Sequence, residues 1–260
     1  MDYFNKPMSN IKNKTANWYI DFFAKYYLRF FGHKKTPLDT KREVEFIYHT
    51  LNLARGAKIL DLASGPGRHA IELAKRGFNV TCLDLNKQFL DLTQKLAKQN
   101  NVSLRMVQSD MRIIPYKNEF DVVINMFSSF GYFDKEKENF KVLKAVSNAL
   151  KLNGLFLLDL PNKNWLLTKV PKKTWQKINN KYILEERSFD KKRKIYLDNI
   201  TIITPDKKIK HTSTLMRLYD LFEIRRKLNY AGFKVIKVYG DYKDEKFIKE
   251  ISPRMIILAR

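Results

Sequence analysis

Hydrophobic and polar positions change period several times along the chain. In "ANWYIDFFAKYYLRFF" (16–31) the apolar positions recur at helical spacing, and "GHKKTP" (32–37) breaks the run. "LDTKREVEFIYHTLNL" (38–53) predicts a second helix, with Asp39 or Thr40 as its N-cap. From residue 58 onward, short apolar runs alternate with amphipathic stretches. The runs predict strands over 58–62, 79–84, 102–108, 120–125 and 154–160, and the stretches between them predict helices from Gly67 to before Gly77, over 87–99 and over 135–150. Alternation of this kind implies a parallel, doubly wound α/β sheet. After Pro161 the period falls towards two. "KYILEERSF", "KIYLDNITIIT" and "KIKHTSTLMRLY", with "PDKK" (205–208) as a turn, predict antiparallel strands ahead of a helix over 220–233. Two last strands, 234–241 and 254–260, close the pattern, and the polar residues 1–16 read as a tail.

Composition narrows the setting. No apolar run reaches the length of a bilayer span, and the first residues lack the apolar core of a secretory signal, so a cytoplasmic protein is expected. Cys82 is the single cysteine, so no intrachain disulfide can form. The chain carries 50 basic and 27 acidic residues, a net charge of +23. A Lys-, Asn- and Ile-rich composition accounts for part of this, but the same bias should also supply Glu. The excess therefore favours anionic partners such as RNA, acidic membranes or anionic metabolites.

The densest chemistry lies in "KILDLASGPGRHAIELAKRGFNVTCLDLN" (58–86), a strand, a glycine turn, a helix and a second strand ending on an acid. Gly65, Gly67 and Ala70 satisfy the dinucleotide pattern, and Asp84 stands where a ribose hydroxyl would be met. Asp61 argues against a dinucleotide, because a carboxylate there would face a pyrophosphate at short range. S-adenosylmethionine (SAM) has no phosphate and carries a positive sulfonium and a positive amino group. The helix and two strands after strand five also fit a seven-stranded sheet whose last strand runs antiparallel to its neighbours.

"ILDLASGPGR" resembles the first motif of class I SAM-dependent methyltransferases. "VTCLDLN" is similar to the second motif, "VQSDM" to the third and "FDVVINMFSSFGYF" to the fourth, in order and in register over about residues 40–160. The resemblance implies an enzyme with SAM as cofactor and a Rossmann-like seven-stranded sheet, with an N-terminal helical lid and an antiparallel strand insertion between strands five and six. It implies one domain over 1–260: the lid in 1–53, the SAM-binding core in 54–160, the insertion capping the acceptor in 161–219, and the last helix and strands in 220–260. The family usually has Gly where this chain has Ala63.

Site roles follow from the same resemblance. Gly65 and Gly67 would turn the backbone under the methionine part of SAM, near Ala63, with Asp61 acting through water or backbone amides. Arg68 would pair with the cofactor carboxylate at a helix N-terminus. Asp84 would take both ribose hydroxyls and Leu85 would pack against adenine. Asp110 would accept the adenine amino group, with Met111 against the ring and Asn125 beside the methionine moiety. Trp18 or Tyr19 would close the lid. Core packing, or a membrane-surface anchor using Lys25, Arg29 and Lys34, are the other readings of that aromatic helix.

For the acceptor, "SSFGYF" (128–133) and "LMRLY" (215–219) resemble the small-molecule branch near glycine-type N-methyltransferases and quinone-type O-methyltransferases. This implies Phe127, Tyr132, Arg217 and Tyr219 around a small acceptor, with Arg217 facing an anionic or polar group. Tyr132 is an orienting hydroxyl, a base or a core tyrosine. His211 is a candidate base or a solvated strand histidine, and no catalytic base is singled out. "NMFSS" lacks the Pro-Pro string of nucleic-acid amino methyltransferases. Cys82, inside strand two, reads as a buried small hydrophobe rather than a nucleophile. No His/Cys/Asp cluster has metal-site spacing. Methyl transfer to an N or O atom of a small molecule is expected. The 15 basic and 5 acidic residues of 161–219 keep RNA or another polyanion as the alternative acceptor, and a non-catalytic SAM-binding protein is a third reading.

Overall fold

The computed structural model describes residues 17–31 and 36–260. Helix α1 (Trp18–Phe22) continues as a π-helical segment, Phe23–Phe31, and α2 covers Pro37–Leu51. The cap of α2 differs from the expectation of Asp39 or Thr40. Thr36 is the N-cap: its Oγ1 accepts from the Asp39 amide at 3.1 Å, while Asp39 Oδ2 accepts from the Thr36 amide at 3.0 Å, and Pro37 starts the helix. Proline is suited to that first position because its missing N–H would have no helical partner. The expected tail (1–16) and Lys34 lie outside the described residues.

The main sheet joins β1 (Lys58–Leu62), β2 (Asn79–Asp84), β3 (Arg105–Gln108), β4 (Phe120–Asn125), β5 (Leu150–Pro161), β10 (Val235–Tyr239) and β11 (Arg254–Ala259). Their order is β10-β11-β5-β4-β1-β2-β3; all neighbours pair in parallel except β11, which is antiparallel to both β5 and β10. The central strands are nearly continuous apolar runs because helices cover both faces. These helices include α3 (Arg68–Lys75), α4 (Lys87–Gln99), α5 (Glu136–Ala149) and α7 (Leu221–Tyr230). Cys82 is fully buried in β2. Strand β3 is shorter than expected and β5 starts earlier, directly where α5 ends.

The insertion begins with α6 (Lys163–Lys169) and folds into a separate antiparallel sheet, β6 (Lys173–Ile178), β7 (Lys181–Asp190), β8 (Ile195–Ile203) and β9 (Ile209–Arg217). Helix α6 and strand β6 were not anticipated. Strand β6 is a lysine-bearing edge strand with Trp175 exposed, so it lacks the apolar density of a buried strand. A third hydrophobic core joins this sheet to the aromatic helix. Trp18, Phe22, Phe30 and Phe31 pack with Ile183, Ile195, Ile200, Ile202 and Leu215. At about 1.5–3 kcal/mol for each large buried side chain, that contact fixes the second sheet over the carboxyl ends of β1 and β4. Among the described residues, no helix is long and apolar enough to cross a membrane.

Candidate functional site

The β1–α3 turn contains three left-handed residues, Ala63, Gly65 and Gly67, with φ of 58°, 56° and 74°. The two glycines are there for different reasons. A Cβ on Gly65 would meet no atom within 4 Å, whereas one on Gly67 would fall 2.2 Å from Thr93 Cγ2 of α4. Gly67 is thus required by helix packing, and it does not line the cavity described below. Ala63 holds a left-handed conformation at a cost of roughly 1–2 kcal/mol relative to glycine. Part of that is offset by the extra freedom glycine has in the unfolded chain. Ala63→Gly is therefore expected to raise stability by about 0.5–1 kcal/mol, read as a higher urea midpoint at unchanged slope.

A cavity of about 370 Å³ opens above this turn. Asp61, Ala63, Gly65 and Arg68 line it from the turn and its flanks, and Asp84 and Leu85 from the end of β2. Asp110 and Met111 line it from the loop after β3, Phe127 and Tyr132 from the loop after β4, and Trp18 and Tyr19 from α1. Asn125 sits below the floor, where its Nδ2 donates to the Leu62 carbonyl at 2.9 Å and clamps β4 to β1.

Arg217 and Tyr219 do not face the cavity, contrary to the sequence reading. Arg217 Nε pairs with Glu136 at 2.5 Å, its Nη2 pairs with Glu223, and the Tyr219 hydroxyl donates to Glu136 at 3.1 Å. A buried guanidinium needs such partners, and α5 and α7 supply them, so the pair ties the end of β9 to those helices. Thr214, Leu215 and Met216 line the cavity in their place. His211 also lies outside it, hydrogen-bonded to Thr201 on an exposed strand face.

The cradle is electrostatically tense. Asp61 is buried, and burial pushes its pKa up to about 7; the Arg68 guanidinium opposes this and Asp84 adds to it. Arg68 pairs with Glu43 and donates to Thr40 Oγ1 at 3.3 Å, and its guanidinium lies 5.3 Å from the centre of the Phe127 ring. Among the described residues, Asp61 Oδ2, Ser64 Oγ and Arg68 Nη2 are buried without a hydrogen-bond partner, and all three residues line the cavity. An acceptor and a donor of opposite charge side by side fit the ammonium and carboxylate of an amino-acid head group. Asp84 Oδ2 accepts from the Gly65 amide and Oδ1 from the Asn86 amide, both at 2.8 Å. Burial raises its pKa against those bonds. Asp110 arrives with a partner, since Arg112 donates to both of its oxygens and bridges to Glu138 at 2.6 Å.

The raised pKa of Asp61 has a measurable consequence. A ligand ammonium beside it favours the ionised form, so binding lowers the pKa and releases protons around pH 7. Affinity for a ligand that places an ammonium beside Asp61 is expected to rise with pH through that range. Calorimetry in two buffers of different ionisation enthalpy reads the proton release, and Asp61→Asn should abolish it.

Three groups of polar residues escaped the sequence reading. His69 lines the cavity and its Nε2 lies 2.8 Å from Glu43 Oε2; burial lowers its pKa against the pull of Glu43. The acid on the apolar face of "REVEFIYHTL" was the available signal. Asp159 accepts from the Phe127 amide at 2.7 Å, the Tyr242 hydroxyl at 2.5 Å and Arg254 at 2.6 Å, and Arg254 also donates to Ser128 Oγ at 2.7 Å. This knot holds Phe127 and Ser128, both left-handed, at the cavity floor. Glu185 and Asp198 reach the cavity from β7 and β8, on strands whose partial alternation alone did not say which face is inward.

Comparison with known proteins gives the same picture. Residues 59–154 match a methyltransferase-domain family. A glycine/sarcosine N-methyltransferase of Aphanothece halophytica is 29% identical over 206 residues, which cover 78% of this chain and 76% of that protein. The crystal structure of a S-adenosylmethionine-dependent methyltransferase from Clostridium acetobutylicum ATCC 824 superposes with a TM-score of 0.77 at 21% identity, covering 93% of this chain and 98% of that one. The CcbJ methyltransferase of Streptomyces caelestis superposes with a TM-score of 0.78 at 18% identity, covering 92% and 95%. The chain is a class I SAM-dependent methyltransferase, an enzyme whose cofactor is SAM.

Proposed function

We propose that this methyltransferase transfers its methyl group to a nitrogen or oxygen atom of a small molecule held beneath the four-stranded sheet. The shape of the cavity carries this reading. It runs from Asp61 and Asp84 to Thr214 and Met216 of β9, between aromatic rings that include Phe23, Tyr27 and Tyr132. A walled space of that size suits a compact acceptor. A phosphate chain entering it would meet the carboxylates of Asp61, Asp84 and Asp110. The relative named as a glycine/sarcosine N-methyltransferase supports the same class of acceptor.

In this reading Asp84 holds the ribose, Asp110 and Met111 the adenine side, and Asp61 and Arg68 the amino-acid head group. Bound SAM supplies a methyl carbon on a positively charged sulfur and leaves as a neutral thioether. The chain's own part is alignment and exclusion of water, through the aromatic wall and the rigid turn at Phe127. Burial raises the pKa of Tyr132, so it stays a hydroxyl and orients the acceptor rather than acting as a base.

The test is to incubate the protein with SAM and either a pool of small metabolites or an RNA transcript, and to quantify S-adenosylhomocysteine. Formation with the small molecules, at a rate indifferent to salt, is expected. Turnover with RNA alone, falling steeply with salt, would overturn the proposal.

A further inference from the structure

The four-stranded sheet has a second face, turned away from the cavity, that methyl transfer leaves unused. Ile183, Ile200 and Ile202 bury the inner face against the aromatic helix, so alternation along the strands sends Tyr182 and Leu184 outward. Trp175 of β6 lies opposite Leu184, and Lys177 opposite Tyr182. Trp175 is 70% exposed and Tyr182 41%, with ring centres 6.2 Å apart. The two rings border a depression of about 530 Å³, together with Leu184, Ile203, Asn199 and Thr201. One end of this face is basic. Lys177 Nζ lies 5.5 Å from the centre of the Tyr182 ring, and Lys181 precedes that tyrosine. Tyr182 pairs with Ile203, which leads into the β8–β9 turn with Lys207 and Lys208. Asp206 of that turn pairs with Lys208 at 2.8 Å. At the other end Glu186 pairs with Lys173 at 3.1 Å, and Glu185, which also borders the depression, is buried and pairs with Arg187 at 2.8 Å. The 15 basic residues of 161–219, against 5 acidic ones, exceed anything that SAM and a small acceptor call for. Exposed rings interleaved with lysines on a strand face suit a partner with stacking bases and a phosphate backbone.

We infer that this outer face binds single-stranded RNA, with bases stacked on Trp175 and Tyr182 and phosphates beside Lys177, Lys181 and Lys207. Asn199 and Thr201 bring polar side chains to the rings, where they meet ribose 2′-hydroxyls. The RNA is a bound partner and not the methyl acceptor, because the platform and the cavity lie on opposite faces of the sheet. The inference therefore goes beyond the small-molecule reading and does not depend on it. A second copy of the chain would bring like charges together across this face, and Lys177 on the open edge strand β6 opposes strand pairing. A lipid surface would take rings that protrude, whereas these two border a hollow.

The experiment is fluorescence anisotropy on the full chain with fluorescein-labelled dodecauridylate. Trp175→Ala and Tyr182→Ala should each weaken binding roughly 5- to 150-fold, the scale of one lost base stack. Inorganic polyphosphate has the charge but no bases, and its binding should be unchanged by either substitution. Lys177→Gln combined with Lys207→Gln should lower the slope of log affinity against log salt by about 1.4, or about 0.7 for each phosphate contact. The deoxyuridine oligonucleotide of the same length should bind about fivefold more weakly, the scale of one lost hydrogen bond. All these variants should keep wild-type S-adenosylhomocysteine affinity, which also reports an intact fold. Dodecauridylate binding that is absent, or indifferent to both ring substitutions, would overturn the inference. So would equal affinity for the deoxyuridine oligonucleotide. Binding only to vesicles of phosphatidylglycerol and phosphatidylcholine, or a dimer lost in Trp175→Ala with no RNA bound, would overturn it in favour of a membrane or a second copy. None of these results touches the small-molecule reading. S-adenosylhomocysteine formed from SAM and dodecauridylate would overturn both, since the RNA would then be the acceptor.

Discussion

Asp159→Ala should cost about 3–5 kcal/mol of folding stability, the loss typical of removing one partner from a buried ion pair. Asp159 is fully buried, and Arg254 is mostly so. The substitution would strand the Arg254 guanidinium and remove the acceptor for the Phe127 amide and the Tyr242 hydroxyl. In the folded protein burial, the largest cause, holds the pKa of Tyr242 well above the usual value, and that burial persists when Asp159 is removed, so the tyrosine does not compensate by ionising. The turn above would also lose its clamp. Phe127 and Ser128 have φ of 58° and 66°, and non-glycine residues in that region stay there only when their surroundings hold them. Urea unfolding of the variant measures the cost. Asp159→Leu combined with Arg254→Met, which removes both charges, should recover a large part of it. A single-variant loss below about 1 kcal/mol would mean the ion pair is not what holds the turn.

The second large effect concerns the cofactor. Asp84→Ala should weaken S-adenosylhomocysteine binding by about 2–4 kcal/mol, or roughly 30- to 1,000-fold. In the proposed reading, two hydrogen bonds from ribose hydroxyls to a mostly buried carboxylate would account for most of this. The rest comes from the turn, since the Asp84 carboxylate also accepts from the amides of Gly65 and Asn86. Asp84→Asn keeps the size and one acceptor oxygen, so it should fall between the two. Calorimetry gives the affinities and circular dichroism checks the fold. Wild-type affinity in the alanine variant would remove Asp84 from the binding site.

Where the sequence reading succeeded, the information was local. The apolar runs of β1 and β4 are buried on both faces, and such strands show as unbroken apolar stretches between helical periods. The turn from Asp61 to Arg68 and the acid at Asp84 lie within one strand–helix–strand unit. Their spacing therefore states their proximity before any tertiary contact forms. The apolar spacing of 16–31 likewise announced a helix, though not its π-helical winding.

What failed was non-local. Arg217 looked purposeful beside apolar and hydroxylic neighbours, but its partners Glu136 and Glu223 come from α5 and α7, and no pattern around Arg217 announces them. Asp159 meets Arg254 across 95 positions of chain, joined only when the antiparallel β11 inserts beside β5. Glu185 and Asp198 acquire an inside only when the aromatic helix packs on one face of the four-stranded sheet. Local patterning thus determined most of the elements and the strand–turn–helix unit from Asp61 to Asp84, because each follows from interactions along a few dozen residues, whereas the order of the strands in the sheet was left to the tertiary structure. Which side chains line the cavity opposite the cradle was decided by the tertiary structure alone, because burial and ion pairing depend on which distant faces meet.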